Sequence, residues 1–318
     1  MRVLITSGGG AKGAFSVGVL NYLKKIQHID HFDFISGTST GALIASLASL
    51  GRIDELREVY LNTTNNNVLE PLNIFDTVIT GNNYIYDTHP LFEQISQHID
   101  NATFSAIMNS NTTLCLNSVS LQTGRSTVFT TKDIRPGNHY VSKKITNRDG
   151  LINALLASSN QAVFMNPIRI GTEDYVDGGN REVIPTRVVC NNLALNEEHE
   201  IYILSNNPDE LVAVTDAKLN GILKVLIRSI AMFIQEVREN DLELMAKFKL
   251  LAADPNKVKV FYLCPNGELD RDFSTGLRFD RGLMLQWMLE GEELAAEIIE
   301  TTPSGNFPAF HLANRPFA

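Results

Sequence analysis

The chain opens on a short apolar run, RVLIT at 2–6, that stops at three glycines. Near-continuous apolar character over so few residues fits a buried parallel strand. Beyond the glycines, Phe15, Val19, Leu20 and Leu23 recur at helical spacing, so a helix follows. The cycle then repeats. HFDFIS at 31–36 reads as a second strand ended by Gly37, and ALIASLASL at 42–50 as a helix apolar nearly all round and hence buried. Strand, turn and helix twice in succession predict an α/β fold: a mostly parallel central sheet with helices on both faces, in three α/β/α layers.

Further strands are predicted at 114–119 and 126–130, paired around Gln122-Thr123-Gly124, and at 168–170 and 174–176, paired around Gly171-Thr172. Two more buried strands fall at 199–205 and 258–264, and helical patterns at 151–158, 216–253 and 282–301. The stretch 62–111 breaks the rhythm. It is rich in Asn, Thr and turn residues, so it reads as a loop-rich insertion with short helical patches such as 91–99. Its part at 62–83 reads as a solvated surface loop, with a lid as the alternative. No internal repeat or low-complexity linker divides the chain. One domain over 1–318 is expected, with that insertion and a helical C-terminal part around 216–302. In the latter, Leu226, Ile230, Phe233, Ile234 and Val237 interleave with Lys224, Arg228, Glu236 and Arg238. A core-packing helix is expected there, with an amphipathic cap as the other reading.

Three glycine-bounded motifs carry chemistry. Gly8-Gly9-Gly10-Ala11-Lys12-Gly13 lies between the first strand and its helix. Glycines let backbone N–H groups converge on one spot, and a helix N-terminus reinforces them toward an anion. Gly8, Gly10 and Gly13 fit a dinucleotide fingerprint. The same loop suits an oxyanion hole, and a plain tight turn would use the same residues. A phosphate-binding Walker loop fails, because Lys12 precedes Gly13 and Ala14 stands where the lysine belongs.

Gly37-Thr38-Ser39-Thr40-Gly41 is a G-x-S-x-G sequence at the second strand-to-helix turn. A nucleophile elbow turns so sharply that only small residues fit two before and two after its serine. Both loops would share the carboxyl edge of the sheet, where open α/β sheets bind ligands. None of the seven histidines sits in a motif-like setting, and only His199 and His311 come late enough for a serine–acid–histidine order. Asp177-Gly178-Gly179 ends the apolar Tyr175-Val176 strand. It presents a carboxylate beside two glycines, although an ordinary Asp-Gly turn looks the same.

Together, the glycine loop, the elbow and Asp177-Gly178-Gly179 resemble the patatin-like phospholipase family. The segment ASSNQAVF at 157–164 is also similar to the family's stretch before its aspartate motif, but lacks the proline usual near Asn160-Gln161; the first proline is Pro167. The resemblance covers roughly 1–264, and the tail from 265 carries no family motif. It implies a lipid acyl hydrolase with a Ser39–Asp177 dyad and no catalytic histidine. It also implies an oxyanion hole drawn from Gly8, Gly9, Gly10, Ala11, Lys12 and Gly13. An acyltransferase using the same dyad is the alternative. Lys12 is expected to support the loop or attract a phosphate-bearing head group. No cofactor and no metal is implied.

Composition narrows the partners. Of 318 residues, 27 are Lys or Arg and 36 are Asp or Glu, a net charge of -9. Nucleic acid is therefore not an expected partner, and purely electrostatic docking on anionic membranes is disfavoured. A lipid substrate and transient apolar contact with a membrane surface are compatible with it; the oligomeric state is left open. The three cysteines are dispersed and read as reduced, buried side chains. With no signal-peptide pattern and no apolar stretch of spanning length, the expected location is the cytoplasm, signal-independent export aside.

Overall fold

The computed structural model describes residues 1–72, 84–215, 220–270 and 276–307. The strands, in chain order, are β1 (Arg2–Thr6), β2 (Phe34–Thr38), β3 (Glu70–Pro71), β4 (Tyr86–Asp87), β5 (Thr113–Ser120), β6 (Ser126–Thr130), β7 (Tyr140–Lys144), β8 (Ile168–Ile170), β9 (Glu173–Asp177), β10 (His199–Leu204) and β11 (Val258–Leu263). The helices are α1 (Ala14–Lys25), α2 (Thr40–Ala48), α3 (Ile53–Asn62), α4 (Asn65–Val68), α5 (His89–His98), α6 (Asn101–Asn109), α7 (Arg148–Ser159), α8 (Thr186–Asn192), α9 (Ile222–Leu251) and α10 (Arg281–Thr301).

The main sheet runs β11-β10-β1-β2-β5-β6-β7, parallel from β11 through β5. This is the mostly parallel α/β/α arrangement that the strand–helix alternation predicted. Each strand sorts its side chains to two cores. Leu4 of β1 joins the layer built with α1, α2 and α10, while Val3 and Ile5 face the layer built with α8 and the second half of α9. Helices α1 and α10 approach at backbone distance: a Cβ on Gly18 would lie 1.9 Å from the Met288 carbonyl oxygen.

The register around β5 determines where the site forms. β2 pairs with the first half of β5 and stops at Thr38, opposite Asn117. β9 then takes over the same edge of β5, antiparallel, with Asp177 opposite Ser118. The residue after β2 and the last residue of β9 therefore meet at one point on the sheet's carboxyl edge.

Three sequence expectations are revised. β2 lies at 34–38 instead of 31–36, because Asp33 is used in the entry turn: its carboxylate and its N–H both bond the backbone of Arg2. The stretch 62–111 is less loop-like than its composition suggests, since its polar residues cap helices. Thr64 and Asn67 form a capping box on α4, and Asp100 accepts the Thr103 amide at the start of α6. Positions 73–83 of the stretch read as a surface loop lie outside the described residues.

The third revision is α9, which is a core helix over only half its length. Leu242, Met245, Ala246 and Phe248 are buried, whereas from Ile222 to Val237 no described side chain is. Residues 216–219 at its expected start lie outside the described residues. No described helix is long and apolar enough to cross a membrane.

Candidate active site

Ser39 sits at the turn between β2 and α2 with φ 60° and ψ -131°. A left-handed conformation at a non-glycine residue costs on the order of 1–3 kcal/mol and persists only where its surroundings enforce it. Here they do. A Cβ on Gly37 would fall 2.4 Å from the Gly41 carbonyl oxygen, and one on Gly41 2.4 Å from that of Thr6. The Ser39 N–H donates to Ser158 Oγ at 3.1 Å, and Ser158 donates in turn to the Asn117 carbonyl at 2.6 Å. The Thr38 hydroxyl donates to the Glu182 carbonyl. The elbow is thus held between α2, α7 and β5.

Asp177 is 8% exposed. Its N–H donates to the Asn160 carbonyl at 2.9 Å, and its Oδ1 accepts the Gly179 N–H at 2.7 Å. Burial pushes its carboxyl up from 3.8 to about 6, offset in part by hydrogen bonds from the Ser39 side chain and the Gly179 amide. Such a group is ionised at neutral pH, yet is a stronger base than an ordinary carboxylate. Asn160, in the segment that lacks the family's usual proline, is fully buried. Its side-chain amide donates to Thr88 Oγ1 and to the Asn166 carbonyl, tying the turn before β8 to the segment entering α5.

The glycine loop packs directly on the serine. A Cβ on Gly8 would lie 3.1 Å from Ser39 Cβ. Among the described residues, the N–H groups of Gly9 and Gly10 meet no protein acceptor. Ala11 differs from expectation: its N–H donates to the Gly276 carbonyl at 2.7 Å, so it is not free to bind an oxyanion. The same carbonyl presses on Gly10, where a Cβ would lie 2.1 Å from it and where φ is +59°. The chain's own backbone therefore requires the glycine that the dinucleotide reading assigned to a pyrophosphate. Lys12 is buried. Its ammonium donates to Asn207 Oδ1 and pairs with Glu268 at 3.3 Å, which makes it a support of the loop.

Gly8, Gly9, Gly10, Lys12, Ser39, Thr40, Asp177 and Gly179 all line one cavity of about 940 Å³. Ala11, Gly13, Gly37, Thr38, Gly41 and Gly178 lie behind it. Gly178 abuts the Asn117 carbonyl and Gly13 abuts the Tyr60 hydroxyl. The cavity walls are largely aliphatic, with Leu43, Leu47 and Val59 from α2 and α3, Leu91 and Ile95 from α5, and Ile230 and Ile234 from α9.

No described histidine hydrogen-bonds Ser39. His199 is buried against the Ala194 carbonyl, His98 faces Glu55 on the cavity wall, and His311 lies outside the described residues. Among the described residues no three His, Cys, Asp or Glu side chains converge as a metal site would require.

The patatin-like phospholipase family model matches residues 4–192, well over half of the chain and all three motifs. The chain belongs to the patatin-like phospholipase family. Membership implies lipid acyl hydrolase activity and a lipid substrate. No curated protein matches in sequence. Among solved structures, the crystal structure of VipD from Legionella pneumophila is 12% identical with a TM-score of 0.43, over 94% of this chain and 67% of that one.

Sequence reasoning placed Ser158 in the ASSNQAVF stretch but gave it no role, and it did not find Asn117 and Glu182, which with Ser158 hold the patatin elbow, nor Asn207, Glu268 and Gly276, which hold the glycine loop. The last three lie beyond the family match. An isolated Gly at 276 or Glu at 268 carries no local pattern that marks it.

Proposed function

We propose that this patatin-like chain hydrolyses fatty-acyl esters of phospholipids or lysophospholipids through a Ser39–Asp177 dyad. The Ser39 Oγ attacks the ester carbonyl carbon while its proton passes to the Asp177 carboxylate. The negative charge that develops on the carbonyl oxygen is met by the Gly9 and Gly10 N–H groups and by the N-terminus of α2. Collapse of this intermediate expels the alcohol, which takes the proton from Asp177. Water, deprotonated by Asp177, then attacks the acyl-serine, and the fatty acid leaves as Oγ regains a proton. The apolar walls suit an acyl chain.

The single observation that supports this reading most is the succession of β2 and β9 on one edge of β5, which brings Ser39 and Asp177 to the same point. A fluorophosphonate probe should label the native chain at Ser39, and Ser39→Ala should abolish both labelling and fatty-acid release from phosphatidylcholine or its lysolipid. Labelling elsewhere, or unchanged release by Ser39→Ala, would overturn the assignment. Transfer of the acyl group to added alcohol in preference to water would reassign the acceptor to that of an acyltransferase.

A further inference from the structure

The first half of α9 is apolar on two sides; one packs partly against the core through Ile227 and Ile230, and the other is exposed. One stripe, Ile227, Ile230, Ala231 and Ile234, faces the cavity. The other, Ile222, Val225, Leu226 and Met232, faces outward. Ile222 is 91% exposed and Met232 55%. A helix that is apolar nearly all round is normally buried or in lipid. Beside it the run Leu211-Val212-Ala213-Val214 contributes four successive apolar residues to the same rim, with Val212 half exposed. Phe233 and Val212 both line the cavity and reach solvent, so the cavity opens at this rim.

The charge pattern identifies the occupant. From Ile222 to Ile234 there are two cations, exposed Lys224 and cavity-lining Arg228, and no acid, in a chain whose net charge is -9; the nearest acid at this rim is Glu210, before Leu211. A local basic, apolar helix on an otherwise acidic protein suits an anionic lipid surface. The buried Arg238 guanidinium anchors the next turn, donating to the carbonyls of Asn207, Pro208 and Asp209, so the exposed half projects from a fixed point.

We propose that the outward face of residues 222–233, with the 211–214 rim, is the surface by which this protein docks on a lipid bilayer, cavity mouth down. The inference deepens the lipid hydrolase reading and rests on it for the choice of partner.

The test measures docking and catalysis separately. In the Ser39→Ala background, co-flotation with phosphatidylcholine–phosphatidylglycerol vesicles should fall about tenfold or more when Ile222, Leu226 and Met232 are all changed to Ser. In the active chain, the same triple change should leave hydrolysis of a soluble short-chain ester unchanged and lower release from vesicles, since none of the three lines the cavity. Lys224→Gln should narrow the preference for phosphatidylglycerol-containing over pure phosphatidylcholine vesicles. Equal flotation of triple variant and parent would overturn the proposal. So would a dimer of the native chain that the triple change converts to monomer, because a second copy would then be the occupant. Failure of the native chain to hydrolyse any ester would refute the hydrolase reading alone, because flotation of the Ser39→Ala chain does not depend on it.

Discussion

Replacing buried Asp177, the proposed base, by its neutral isostere, Asp177→Asn, should abolish activity and stabilise the protein. Burial raises the Asp177 carboxyl from 3.8 to about 6. The folded chain therefore holds this proton more tightly than the unfolded one. The favourable contribution is fully present below the unfolded value and is lost as pH rises through the folded value. Above it, the ionised carboxylate costs about 3 kcal/mol, from roughly two units at ~1.4 kcal/mol each. Asparagine does not titrate, and its side-chain carbonyl oxygen still accepts the Gly179 N–H that Oδ1 accepts now. The variant should gain stability over the native chain as pH rises from below 3.8 to above about 6, by about 3 kcal/mol in all, and the gain should level off at higher pH. Urea unfolding of both chains across that range measures the gain as a growing difference in midpoint. A difference that stays flat with pH, or a variant less stable than the native chain at alkaline pH, would refute the reasoning. The native enzyme's kcat/KM should in parallel fall about tenfold per unit as pH drops below the Asp177 value.

Gly10→Ala places a Cβ 2.1 Å from the Gly276 carbonyl at φ +59°; kcat should fall about a hundredfold or more with KM little changed, and probe labelling should slow in step. Glu182 and Asp241 are both buried and both raised, by desolvation first, and their proximity raises Asp241 further. Glu182→Gln removes one buried charge and should raise the thermal midpoint by about 2–4 °C at mildly alkaline pH, and by less in mild acid, by calorimetry. Trp287 is 2% exposed and donates to the Leu269 carbonyl; Trp287→Ala should cost about 3–5 kcal/mol in urea unfolding.

The elements that sequence made legible are those whose burial is one-sided or complete. β1 falls where RVLIT placed it, and the hairpins around 122–124 and 171–172 form as their turn residues indicated. The misreadings have physical causes. Asn and Thr at 62–111 looked like loop composition, but the same side chains are helix caps, and composition does not distinguish the two uses. β7 escaped because YVSKK is an edge strand whose outward residues are mostly charged or polar. In α9 the apolar spacing was read correctly and its surroundings were not, since periodicity states which residues share a face and not what that face meets.

For the candidate site, Ser39 and Asp177 lie more than a hundred residues apart in sequence, which alone does not join them; the sheet register does. β2 ends one residue before Ser39, and β9 begins to pair with β5 at the next position, so the two approach without either leaving its strand edge. The glycine loop behaves differently. Its glycines are local and legible, but its shape is fixed by Gly276, Asn207 and Glu268, all from beyond residue 192, the end of the family match. A chain cut at the end of that match would keep Ser39 and Asp177. It would lose the carbonyl that occupies the Ala11 N–H, the Asn207 acceptor of Lys12 and its Glu268 ion-pair partner. Without these contacts nothing would hold Gly10 at its positive φ or fix the Lys12 side chain, so the loop would not keep its conformation. The strands and loops after 192 are therefore part of the proposed catalytic apparatus, and the lipid-docking half of α9 arises from that same region.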